Sequence, residues 1–352
     1  MYDVVNMRKE ECNVYYVKNE RNGEEITDPR LNLAIEYYLL NEVHLDEPIL
    51  LFYINEPSII IGRNQNAYEE VNRDYVEQNN IHVVRRFSGG GAVYHDFGNL
   101  SFCFITKDDG NSFRNFSKFT EPVITALHKI GVEGAELKGR NDLLINGQKF
   151  SGNAMYSKNG RMTAHGTIMF DSEIDAVVKA LKPKKEKLES KGIKSVRSRV
   201  TNIKPFMSDE YQFMNTKQFR ERLLLNIFDV DTVDEVKEFK LTEKDWERIE
   251  EFSKQYTGNW EWNYGKSPDF DIERSQRFAI GSIDVKLNVE KGIIQDIKIY
   301  GDFFGLGEIS DVEEKLTGIK YEAKTISAVF DEIDIKKYFG DITKEELVHL
   351  IY

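Results

Sequence analysis

Positions 85–96 read Arg85-Arg86-Phe87-Ser88-Gly89-Gly90-Gly91-Ala92-Val93-Tyr94-His95-Asp96. Three consecutive glycines let the backbone approach a ligand closely and turn its amides toward negative oxygens, with two arginines at the entry. The run matches neither Gly-x-x-x-x-Gly-Lys-Ser/Thr nor a Gly-x-Gly-x-x-Gly opening a helix, because β-prone residues follow it, so a P-loop or Rossmann site is disfavoured. On its own it would also suit a glycine bulge at a sheet corner. Further on stand Asn141-Asp142-Leu143-Leu144, Lys149-Phe150-Ser151-Gly152-Asn153-Ala154 and His165-Gly166-Thr167. Lys149 comes just after the Asn146-Gly147 pair, where a tight turn can hold its ammonium over a site. A lone lysine is otherwise a solvated surface charge.

Certain elements must position these residues. Asp28 and Pro29 supply an N-cap and first helical residue, followed at helical spacing by Leu31, Ala34, Ile35, Tyr38 and Leu39. Strands are predicted at 49–54, 58–61, 81–87 and 100–106, with a short helix near 72–78, so the glycine loop leaves a strand. A second amphipathic helix is predicted over 113–130, kinked or restarted at Pro122. Asn146-Gly147 and Asn159-Gly160 supply the positive φ angles of type I′ turns and predict an antiparallel meander through Leu143, Phe150, Tyr156 and Ile168. A helix is expected from Ser172. Residues 182–199 then carry eight basic side chains against two acidic ones, which sets them apart electrostatically. After a helix capped by Thr242, Gly258, Gly265 and Pro268 interrupt the pattern, and strands at 280–289 and 293–300 precede helices opened by Ser310 and Thr343. The expected fold is α+β: a mixed, mainly antiparallel sheet with flanking helices in residues 1–256, and a small α+β accessory domain in residues 257–352.

Composition bounds the function. The chain has 352 residues, 40% of them apolar, with 22 Phe and 17 Tyr, enough for a packed core. Its net charge of −12 argues against a dedicated nucleic-acid binder, which needs a surplus of Lys and Arg. No apolar run approaches the roughly 20 residues of a membrane-spanning helix, and the first residues lack a signal-peptide core. With only Cys12 and Cys103, no disulfide framework is available. A cytoplasmic monomer is expected.

Read together, these stretches resemble the lipoate-protein ligase A family, within the wider biotin and lipoate ligase superfamily. The likeness covers nearly the whole chain and includes two more motifs in the family's order, Ser195-Val196-Arg197-Ser198-Arg199-Val200-Thr201-Asn202-Ile203 and Trp260-Glu261-Trp262-Asn263-Tyr264-Gly265-Lys266-Ser267-Pro268. It implies a biotin/lipoate ligase-like catalytic domain and a two-step reaction. Lipoate attacks the α-phosphate of ATP, with Mg²⁺, to give lipoyl-AMP, and an acceptor lysine then takes the acyl group. The acceptor would be a lipoyl domain of a 2-oxoacid dehydrogenase E2 subunit or the glycine cleavage H protein.

The same resemblance implies residue roles. Lys149 is the ammonium between the lipoyl carbonyl and the α-phosphate. Arg86, Gly91, Ala92, Val93 and Tyr94 meet ATP, with Asn141 and Asp142 placing the nucleotide or Mg²⁺. Ser88, Gly89, Gly90, Gly91, His95 and Ala154 line the lipoate side, and Arg197 and Arg199 belong to an adenylate-binding loop. The metal ligands stay unassigned. Plainer readings exist: His95 as a satisfied core histidine, Asp142 as a turn cap, Ser88 as a loop hydroxyl, and the lysines before Lys194 as a solvated linker.

Two alternatives compete. Relatives of this fold move octanoyl or lipoyl groups between carrier proteins through a cysteine thioester, without ATP. Cys103, inside Leu100-Ser101-Phe102-Cys103-Phe104-Ile105, reads instead as an inert buried thiol, and Cys12 has no motif nearby. The other alternative is a catalytically silent lipoate-binding carrier, against which the intact Lys149 motif speaks.

Overall fold

The computed structural model describes residues 14–181, 199–264 and 272–352. Its centre is a seven-stranded sheet in the order Tyr15–Val17, Ile49–Tyr53, Asn99–Lys107, Arg161–Met169, Gln148–Lys158, Asp142–Ile145, Glu136–Lys138. Only the first pair is parallel. Side chains alternate across it as a period of two requires. Leu50, Phe52, Phe102 and Phe104 join one core with Phe119, Val123 and Leu223, under the helices Phe116–His128 and Thr216–Phe228. Ile49, Leu51, Tyr53, Cys103 and Ile105 face the other core, under the helices Pro29–Asn41 and Glu243–Phe252.

Local chemistry explains the ends of these elements. Asp28 accepts from Arg30 N at 2.8 Å and Pro29 opens the helix, as expected from the sequence. Asn146-Gly147 and Asn159-Gly160 have φ of 50°, 78°, 53° and 74°, and the meander forms on them. The helix Phe116–His128 runs through Pro122, started by an Asn115 cap. A smaller sheet, His82–Arg85, Ser58–Ile61 and Val93–His95, mixes parallel and antiparallel pairs and flanks the glycine loop on both sides.

The C-terminal unit is a three-stranded antiparallel sheet, Ile272–Phe278, Gly281–Glu290 and Ile293–Gly301, covered by four helices among the described residues. The helix expected from Ser310 starts at Ile309 with Glu308 as cap and no side-chain cap bond, whereas Thr343 forms a full capping box before Lys344–Ile351. The short helix Trp260–Asn263 lies on the first unit, not the second. Trp262 Nε1 donates to Arg85 O at 2.9 Å, and Arg85 N donates to Asn263 Oδ1 at 2.8 Å. Among the described residues, no helix is long and apolar enough to cross a membrane.

Candidate active site

A cleft opens where the glycine loop, the lysine strand and the strand Arg161–Met169 meet. Its lining includes Arg86, Gly90, Gly91, Ala92, Val93, His95, Asn141, Lys149 and Ala154 from the sequence expectation. Leu33, Tyr53, Ile60, Ser101, Gly152, Asn153, His165, Gly166 and Thr167 complete it.

Arg86 is buried and spends its guanidinium on the loop itself. Nε donates to Ser88 Oγ at 3.0 Å, Nη1 to Ile60 O at 3.0 Å, and Nη2 to Gly89 O and Gly91 O at 2.7 and 2.8 Å. Burial lowers its pKa to about 10, which leaves it charged near neutrality. Two loop carbonyls, of Gly89 and Gly91, and the strand carbonyl of Ile60 are thereby turned toward the arginine. Gly90 takes φ of +93°, and a Cβ there would lie 2.9 Å from both the Arg86 guanidinium and the Phe304 ring, so only glycine fits. Nothing lies within 4 Å of the place a Gly91 Cβ would occupy. Ser88 and Tyr94 are buried away from the cleft lining, Tyr94 in the apolar cluster with Ile59 and Val83. Gly89 also lies off that lining, its missing Cβ against Phe303 O.

Lys149 stands at a register shift of the hairpin, opposite Leu144, with its Nζ 2.7 Å from Asp142 Oδ1. Gly152, three residues on, leaves room for that side chain, since a Cβ would meet Lys149 Nζ at 3.1 Å. The backbone of Lys149 is pinned by the last residue of the basic segment and the chain just after it: its N donates to Arg199 O at 2.6 Å, and its O accepts from Thr201 N at 2.9 Å. Arg199 itself is exposed, and Arg197 lies outside the described residues. Asn141 Nδ2 donates to Asn153 O at 2.6 Å, and Asn153 Nδ2 returns a bond to Asn141 O at 3.0 Å, bracing the two motifs against each other.

Beneath the cleft runs a buried polar chain. Ser88 Oγ and His165 Nε2 are 2.7 Å apart, His165 Nδ1 lies 2.7 Å from Glu36 Oε2, and Tyr53 OH donates to Glu36 Oε1 at 2.9 Å. Burial, with Glu36 beside it, raises the Cys103 thiol well above its usual range. With the thiol fully buried as well, a thiolate nucleophile at Cys103 is disfavoured. His95 is buried, its Nδ1 2.9 Å from Asn55 Nδ2, and burial followed by the Arg86 charge pushes its pKa down to about 3. It is a neutral ring that lines the cleft, its Nε2 buried without a hydrogen-bond partner among the described residues.

The family model for the lipoyl protein ligase A/B catalytic domain matches residues 28–228, and that for the bacterial lipoate protein ligase C-terminus matches residues 267–351. The chain belongs to the lipoate-protein ligase family. It is 57% identical over 331 residues to the lipoate-protein ligase LplJ of Bacillus subtilis, covering 94% of this chain and 99% of the relative. The crystal structure of P. falciparum LipL1 in complex with lipoate superposes with a TM-score of 0.74 at 26% identity, over 91% of this chain and 94% of that one. A lipoate-protein ligase A bound with ATP gives a TM-score of 0.56 at 27% identity, over 71% of this chain and 98% of that one.

For a member of this family, the sequence reading missed Glu36, Asn55, Tyr53 and Leu33. A signal was there for the first. Glu36 stands among Leu33, Ala34, Ile35, Leu39 and Leu40 in an otherwise apolar helix face, and an acid in such a place needs buried partners. Asn32, one turn earlier, marks the same stripe and donates to Asn55 Oδ1 at 2.8 Å. The partners themselves come from distant strands, which no local pattern reveals.

Proposed function

We propose that this protein is an ATP-dependent lipoate-protein ligase that makes lipoyl-AMP and pyrophosphate, then passes the lipoyl group to an acceptor lysine and releases AMP. The observation that carries this reading is the Lys149 ammonium, held 2.7 Å from Asp142 on the rim of a cleft that also exposes the backbone of Gly90, Gly91, Ala92 and Val93. The first step brings a carboxylate onto a triphosphate. A fixed ammonium and preset backbone dipoles offset the repulsion of two anions without reorganising during the step. Lys149 would sit between the lipoyl carboxylate and the α-phosphate, with the Gly91–Val93 backbone along the nucleotide. Arg86 acts through the loop whose carbonyls it gathers. Leu33, Tyr53, Ile60 and Ala154 offer apolar surface to the acyl chain.

Mg²⁺ fits the donor chemistry here. Asp142 supplies the hard carboxylate oxygen such an ion takes alongside substrate phosphates, and the ion would neutralise charge on the departing pyrophosphate. Asn141, braced on Asn153, would help place the nucleotide. Residues 1–256 would carry this chemistry and residues 257–352 would cover the cleft, although the helix Trp260–Asn263 packs with the first unit. The acceptors in this reading are lipoyl domains of 2-oxoacid dehydrogenase E2 subunits or the glycine cleavage H protein.

The test is incubation with lipoate, Mg²⁺ and a lipoyl domain, followed by mass spectrometry of the acceptor. One lipoyl addition that requires ATP supports the ligase. Modification from a lipoylated or octanoylated carrier without ATP would favour the cysteine transferase, and no modification under either condition would favour the silent carrier.

A further inference from the structure

Arg85 ends the strand His82–Arg85, which lies at the edge of the smaller sheet and pairs with Ser58–Ile61. Arg86 N donates inward to Ile61 O at 3.0 Å, so the N–H and carbonyl of Arg85 face the open edge, where a buried backbone needs partners. The short helix Trp260–Asn263 supplies both from its side chains. Asn263 Oδ1 accepts from Arg85 N at 2.8 Å, and Trp262 Nε1 donates to Arg85 O at 2.9 Å. The guanidinium closes the clasp, Nε donating to Trp262 O and Nη2 to Asn263 O, each at 2.9 Å. Nη1 reaches the other way, to the carbonyls of Gly62, Arg63 and Gln65 at 3.0, 3.0 and 2.5 Å. Burial lowers the Arg85 pKa to about 10, which leaves it a cation.

The turn gathered by Nη1 abuts the glycine loop. Arg63 N donates to Ser88 O at 2.9 Å, and a Cβ on Gly62 would run into Gly90 O. The Phe87 ring lies 4.9 Å from the Trp262 ring. One guanidinium thus joins the helix 260–263 to the base of the loop on two sides. Trp260 of the same helix is half exposed and stacks on Tyr264 instead.

We propose that Trp262 and Asn263 are positioning residues for the nucleotide, acting through Arg85 to hold the Gly91–Val93 backbone where it meets ATP. The proposal deepens the ligase reading above and rests on it. A loop with three consecutive glycines has many conformations, and ordering it on a ligand would weaken binding. Fixing its base during folding removes that cost beforehand. An arginine suits the task because its planar fork meets carbonyls in several directions at once, which an ammonium does less well. The benefit falls on the nucleotide, since the apolar surface offered to the acyl chain comes from Leu33, Tyr53, Ile60 and Ala154.

The experiment measures KM for ATP and for lipoate in lipoyl-AMP formation by the full chain. Trp262→Phe keeps an aromatic ring against Phe87 and removes the donor to Arg85 O; it should raise KM for ATP about tenfold, with KM for lipoate and kcat changed less than about threefold. Arg85→Lys should shift the same constant in the same direction, and Trp260→Phe should leave it at the wild-type value. A fall in kcat that follows a lowered melting temperature with KM for ATP unchanged, or equal rises in both KM values, would overturn the proposal. Hydrogen exchange on the wild type gives a second reading that does not depend on any variant folding. Because coupling is reciprocal, a non-hydrolysable ATP analogue should slow exchange in residues 260–264 as well as in the glycine loop. Protection confined to the loop would overturn the proposal. Failure of the wild type to form lipoyl-AMP would instead overturn the ligase reading.

Discussion

The ammonium of Lys149 and the carboxylate of Asp142 lie 2.7 Å apart, each side chain a little over one-third exposed, on adjacent strands of one hairpin. A pair so exposed contributes about 1 kcal/mol or less to stability, so its value lies in aiming the ammonium. Asp142→Asn is therefore expected to move the melting temperature by less than about 4 °C. Adenylate formation should fall about tenfold or more as the lysine loses its fixed direction. Melting curves beside a lipoyl-AMP assay check this, and unchanged adenylation would show that the pair is incidental.

Cys103 separates the two transfer chemistries. Its thiol is fully buried and kept protonated, so Cys103→Ser should retain ATP-dependent ligation with a stability loss of about 1–3 kcal/mol for a hydroxyl in that setting. Denaturant titration and a ligation assay read both quantities. An acyl-thioester trapped on Cys103 of the wild type would reverse the assignment.

The neutral His95 gives a pH dependence of known sign. Its folded pKa, about 3, lies below the unfolded value near 6.5, so the unfolded chain binds a proton between them that the folded chain refuses. The contribution is fully present above pH 6.5 and is lost as pH falls, with a slope of at most about 1.4 kcal/mol per unit. His95→Gln should flatten the stability profile between pH 6.5 and 5 relative to the wild type. Parallel profiles for the two proteins in urea titrations would contradict a buried neutral ring.

Much of this was legible beforehand, for reasons that differ between residues. Asp28, Thr242 and Thr343 announce their helices because a cap is a local hydrogen bond, and both Asn-Gly pairs announce their turns because few residues adopt positive φ. The strand Ile272–Phe278 was not legible, since most of its residues are exposed and it shows no apolar alternation. The helix Thr216–Phe228 was missed despite its Asn215–Gln218 capping box. In the cleft, the motif residues stood out by type. The chain from Ser88 through His165 to Glu36 did not, because it joins positions 77 and 129 residues apart.

Phe304 links the two units at the glycine loop. Its ring is buried against Gly90 and lies 5.9 Å from the Phe116 ring, and Arg114 donates to its carbonyl at 3.1 Å. A covering unit that shields the mixed anhydride from water would matter more for making lipoyl-AMP than for using it. Phe304→Ala, expected to cost about 3 kcal/mol of packing, should lower lipoate activation more than transfer from supplied lipoyl-AMP. Equal losses in the two separately measured half-reactions would sink the covering role.

The most direct test of the whole account is lipoate-dependent exchange of labelled pyrophosphate into ATP, measured on the wild type and on Lys149→Met. The wild type should catalyse exchange only when lipoate is present, and Lys149→Met should lose it while keeping the wild-type melting temperature within a few degrees. Exchange at near-normal rate in Lys149→Met would remove the lysine from the chemistry, and no lipoate-dependent exchange in the wild type would contradict the ligase assignment itself.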